Sequence, residues 1–128
     1  MPRHLTSVVL ALTVLAAGGC KPAMCGSSKD LRHKAKVLVE HYPGDTKSAE
    51  LDAALAELQS AIHPEQDSKE PGLWRELVKE AGELRERIVE MDNPNLEPAK
   101  RKNLPAIFQQ QHDNFLTSLK AAQDRCGE

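Results

Sequence analysis

Aromatic side chains are scarce: they make up 3% of the 128 residues, as one Trp, one Tyr and two Phe. So thin a supply of rings argues against a large aromatic-lined ligand pocket. No segment alternates apolar and polar residues with period two, so strands are not expected. There is no internal repeat and no low-complexity tract. No apolar run approaches the ~20 residues that a bilayer span requires, since the one beginning at Leu5 is over by Lys21. Basic residues are not in excess either, at 17 against 19 acidic ones, which argues against nucleic acid as a partner. The cluster Lys100-Arg101-Lys102 is too short for a nucleic-acid stripe. It is expected to be solvated, with covering of exposed carbonyls or contact with an acidic partner as the alternatives.

The sequence motifs of catalysis are missing as well. The chain contains no G-x-S-x-G, H-E-x-x-H, P-loop or C-x-x-C pattern, and its serines and threonines stand at helix ends or among charges without a paired base. An enzyme is therefore not expected, nor is a resident cofactor or metal.

What the chain does contain is Ala, Leu, Glu and Lys, a mixture that favours helices. Ser27-Ser28-Lys29-Asp30 reads as a helix start, a capping hydroxyl with an acid following. Leu31, Ala35, Leu38 and Tyr42 then recur at helical spacing until Pro43-Gly44. A second helix is expected from about Thr46, with Leu51, Leu55, Leu58 and Ile62 on one stripe, ending at His63-Pro64. Residues 65–70 form a polar loop. From Pro71, a residue tolerated in a first turn, Trp74, Leu77, Ala81, Leu84, Ile88 and Met91 make the clearest amphipathic helix. After a turn-rich break at 92–98, a fourth helix starts at Pro98, or at Leu104 if Pro105 marks its first turn. It runs to about Arg125 with a stripe of Phe108, His112, Phe115, Leu119, Ala122 and Cys126. Glu76, Glu80, Glu83 and Glu90 are expected on a solvated face, supported by a Glu83–Arg87 pair, or as an acidic stripe meeting a basic partner. Four such helices with short connections predict an all-α, up-down-up-down four-helix bundle.

The first twenty-one residues carry an address. Arg3 supplies a positive charge, Leu5 to Leu15 is apolar, and small residues follow, the layout of a cleaved secretory signal. The run Leu15-Ala16-Ala17-Gly18-Gly19-Cys20 resembles the lipobox of bacterial lipoproteins. That resemblance implies a signal peptide over residues 1–19, lipidation of Cys20, a short tether over 20–26 and one domain over 27–126. It also implies anchoring in the cell envelope. Lys21 is not the Asp that retains enteric-type lipoproteins at the inner membrane, which points to the outer membrane, facing the periplasm.

Lipidation of Cys20 also resolves an odd thiol count. Of three cysteines it leaves Cys25 and Cys126, one before helix 1 and the other after helix 4. In an up-down-up-down bundle these two ends meet at one pole, and an oxidising envelope permits a disulfide there. The bundle then sits with that pole towards the lipid. The opposite pole, with the connections at 42–45 and 92–98, is the surface expected to be most available to a partner.

His112 lies on an apolar stripe, roughly 21 Å from Cys126 at ~1.5 Å per residue. His41 lies at a similar level on helix 1, so a bis-histidine haem or metal site is the alternative function to weigh. Against it, no C-x-x-C-H motif is present and His41 stands beside the core stripe. The plainer expectation is a boundary histidine bonded to a neighbour or to solvent. His33 reads as exposed.

A small lipoprotein with a helical bundle and an end-to-end disulfide looks like the helical secretin pilotins of secretion systems. The similarity is one of architecture, with no pilotin motif in residues 21–128. It implies a non-enzymatic adaptor or scaffold that binds another envelope protein by holding an amphipathic segment between helices.

Overall fold

The structure is a computed structural model that describes residues 22–128; the signal region and Cys20 lie outside the described residues. Four helices follow in order: α1 (Ala23–Glu40), α2 (Ser48–Ala61), α3 (Pro71–Asp92) and α4 (Pro98–Arg125). A single 3-10 turn, Pro64–Gln66, interrupts the α2–α3 connection. Each helix packs on the next, and α1 closes the ring against α4. The result is the expected up-down-up-down bundle, with Cys25 and Cys126 disulfide-bonded, their Cα atoms 5.6 Å apart. That bond closes a loop between residues 101 apart in sequence, for which chain entropy suggests about 4–5 kcal/mol.

The core is one contiguous cluster of buried side chains drawn from all four helices. Leu51, Leu55 and Leu58 of α2 are fully buried, as are Trp74, Leu77, Ala81 and Leu84 of α3. From α4 come Phe108, Phe115, Leu119 and Ala122, joined by Leu104 one turn before the expected stripe. α4 starts at Pro98 and carries Pro105 within it. Pro105 has no N–H to donate to the Arg101 carbonyl.

α1 departs from expectation at both its start and its face. The helix begins at Ala23, so residues 23–26 are its first turn and not tether. Met24 and Cys25 explain this, being 0% and 5% exposed and therefore held in the core. Ser27, the expected cap with Asp30 three residues on, therefore lies inside the helix, and the Ser28 hydroxyl donates to the Met24 carbonyl one turn back. The buried stripe is Cys25, Ser28, Arg32, Ala35, Val39 and Tyr42, a regular 3-4-3-4-3 progression. Leu31 and Leu38, expected to lead the stripe with Ala35 and Tyr42, are only partly buried at its edge. Two of the inward positions are polar, which disguises the true face in an apolar count.

Candidate functional site

The disulfide pole is held by a polar network that the sequence did not disclose. Arg32 is 4% exposed. Its Nε donates to Ser28 Oγ at 2.9 Å, and its Nη2 to the Cys25 carbonyl at 2.9 Å. Nη1 and Nη2 each lie 2.8 Å from a carboxylate oxygen of Glu128, a bidentate pair. The guanidinium also stands 5.9 Å from the Trp74 ring centroid, a cation–π distance. One side chain of α1 therefore joins the first turn of its own helix, the chain end beyond α4, and the largest residue of α3.

Asp67 performs a matching task from the α2–α3 connection, within a segment expected to be simply polar. It is 3% exposed. Its Oδ2 accepts from Trp74 Nε1 at 3.0 Å and from Arg125 Nε at 3.1 Å. Its Oδ1 accepts from Arg125 Nη2 and from the Lys69 and Glu70 amides at the start of α3. Burial alone would raise this carboxyl. The hydrogen bonds from Trp74, Arg125 and the Glu70 and Lys69 amides outweigh it and bring the pKa down to about 2.

At the opposite pole Tyr42 Oη is 3.0 Å from Ser48 Oγ, which donates to Asp92 at 3.2 Å, and the Tyr42 and Phe108 rings meet in a tilted contact with centroids 5.4 Å apart. In the basic cluster, Arg101 covers carbonyls: its Nη2 donates to the backbone oxygens of Asn93, Pro94 and Leu96.

The two candidate ligand histidines are placed differently from one another. His112 has a side chain 14% exposed. Its Nε2 is 3.1 Å from the Val39 carbonyl of α1, and its Nδ1 is 3.1 Å from Asp113 Oδ1. Each ring nitrogen thus faces an oxygen acceptor, and the Nε2 contact ties α4 to the C-terminal part of α1. His41 is exposed and caps that same helix end. Among the described residues, no group of three or more His, Cys, Asp or Glu is arranged to hold a metal ion.

The α3 acids are not all solvated. Glu80 is 8% exposed, because α4 packs along the flank of α3 and covers it. Its Oε2 has no hydrogen-bond partner among the described residues. Burial pushes its carboxyl up to about 7; Ser118 opposes the shift, and Glu76 and Glu83 add to it. Glu83 pairs with Lys79 and accepts from Gln111, while Arg87 turns to Glu90 at 2.9 Å and to Glu86.

The most open seam of the bundle is the α1–α4 face. A groove of about 670 Å³ runs there, with Leu116 and Leu119 of α4 in its lining. Lys29, Arg32, Lys34, Lys36 and Lys120 also line it, five cations against two acids, Asp30 and Glu128. Arg32 is matched by Glu128, Lys34 reaches Glu57 at 4.0 Å, and Lys120 reaches Asp124 at 3.5 Å. Lys29 and Lys36 form no ion pair among the described residues. The groove is bracketed by two ties between its walls: the disulfide with Arg32–Glu128 at one end, and His112–Val39 at the other. It occupies the half of the bundle nearer the disulfide. A scan against family models, a search of curated proteins and a search of solved structures each return no match.

Proposed function

We propose that this protein is a lipid-anchored, non-enzymatic adaptor of the bacterial cell envelope that binds another envelope protein through the α1–α4 groove. The observation that carries the reading is that groove: an apolar strip flanked by lysines, open between two helices whose separation is fixed at both ends. Pockets bracketed by rigid ties lose little entropy when a partner enters, which favours binding over mere exposure of apolar surface. The lipid anchor is supported by the Leu15–Cys20 run and by the pairing of the other two cysteines. With α1 starting at Ala23, only Lys21 and Pro22 separate it from Cys20, a reach of about 10 Å. The disulfide pole would then rest against the membrane, with the groove rising from it. A pilotin-like role is one concrete form of this proposal.

Two measurements test it together. Palmitate labelling of growing cells should mark the wild-type protein and not Cys20→Ala, with Cys20→Ala released from the membrane fraction. A photo-crosslinker placed at Leu116 should then trap an envelope protein in the wild type. Unlabelled wild-type protein, or an empty groove in cells, contradicts the proposal.

A further inference from the structure

The chemistry of the groove narrows its occupant. Resting on the adaptor reading above, we infer that the α1–α4 groove takes an acidic amphipathic helix of a partner protein, laid along the bundle as an additional helix. Charge complementarity is the first argument. The chain as a whole is acidic, at net −2, yet this groove gathers five cations against two acids. Lys29 and Lys36, on the α1 wall, have no carboxylate partner among the described residues. Across from them Lys120 reaches an exposed Asp124 at 3.5 Å and pairs with no other acid among the described residues. Acids on the incoming segment would complete these pairs on both walls.

Shape supplies the second argument. Leu116, partly buried, and Leu119, 5% exposed, stand one turn apart on α4 and form the apolar floor of the groove, this ridge being exposed mainly at Leu116. From Lys29 to Lys36 the α1 wall extends about 10 Å at ~1.5 Å per residue, close to two helical turns. A helix with apolar residues at i, i+3 or i+4, and i+7 would seat them on this ridge and carry its acids outward to the lysines. A lipid is the poorer occupant. The lysines are strung along the walls instead of converging on one phosphate.

The test uses the full chain in nonionic detergent, with empty micelles as the blank. The probe is a fluorescein-labelled peptide of about 14 residues, with Leu at i, i+3, i+4 and i+7 and Glu on the flanks. Anisotropy should rise saturably, and binding should weaken roughly tenfold in a Lys36→Glu/Lys120→Glu variant and fall as salt is raised. Circular dichroism of the variant, whose changes are at exposed positions, verifies that the bundle is intact. Equal binding of the same peptide with Lys in place of Glu, or binding unchanged by the charge reversal, overturns the inference. So does a result in which phosphatidylglycerol vesicles bind in a Lys36- and Lys120-dependent way while the peptide does not. If the peptide fails but a crosslinker at Leu116 still traps an envelope protein, the acidic helix is rejected and the adaptor reading stands. If both fail, the adaptor reading falls with it.

Discussion

Arg32 and Glu128 form a two-pronged ion pair, both contacts at 2.8 Å, across the loosest seam of the bundle. The same guanidinium meets the Cys25 carbonyl and lies 3.8 Å from Cys126 Sγ, so the pair reinforces the disulfide at the mouth of the groove. Arg32→Ala would remove all of these bonds and leave polar partners without donors. The expected loss is about 3 kcal/mol, read as a lower urea midpoint with an unchanged slope. Arg32→Lys should recover only part of it, because an ammonium cannot reproduce the fork.

The disulfide itself closes nearly the whole domain. A Cys25→Ser/Cys126→Ser variant is expected to lose up to about 4–5 kcal/mol, a large share of the stability of a bundle this small. Thermal unfolding of the wild type should show the same drop on adding reductant, and the double variant should be insensitive to it.

Asp67 gives the fold an acid limit. Its folded pKa of about 2 lies below the ordinary value of 3.8. The native state therefore holds the proton less tightly than the unfolded one. The contribution is fully present above pH ~4 and is lost as pH falls from there towards 2. Asp67→Asn should cost about 2–3 kcal/mol at neutral pH and remove that part of the acid-limb slope. Urea midpoints across the acid range would show a parallel shift, with no change of slope, if Asp67 were not the group responsible.

Glu80 acts in the opposite sense. With its pKa raised from 4.5 to about 7, the folded state binds the proton more tightly than the unfolded chain. Stability should fall as pH rises from about 4.5 to about 7 and level off beyond. Glu80→Gln keeps the shape without the charge, so it should flatten that decline and leave the protein more stable than wild type at alkaline pH. A variant that tracks the wild-type curve would assign the dependence to another group.

Much of this structure was legible because α3 presents an unbroken apolar stripe and α4 one interrupted by His112. Trp74, Leu77, Ala81, Leu84 and Ile88, and Phe108, Phe115, Leu119 and Ala122, are buried where their spacing predicts. The disulfide followed from parity and topology together, neither being sufficient alone. What escaped did so for specific reasons. Ser28 and Arg32 occupy inward positions of α1, and a polar residue there is indistinguishable from a surface one until its partners are placed. Asp67 looked like a loop acid because its partners Trp74 and Arg125 lie on different helices, the second of them 58 residues away. Glu80 is buried by a neighbour packed on its flank, which periodicity within one helix does not encode. The groove joins Lys29 and Lys36 to Lys120 from opposite ends of the chain, so only the closing of α1 on α4 reveals it.

We propose that the partner is received by the α1–α4 groove and not by the far pole. Photo-crosslinking residues placed one at a time at Lys36, Lys120 and Asn95 of the full chain in cells test it most directly, with mass spectrometry locating the crosslinked segment. Lys36 and Lys120 should mark the same acidic helical segment of one other envelope protein, while Asn95 should mark none. Crosslinks to that protein from Asn95 alone, with the groove positions silent, would contradict it.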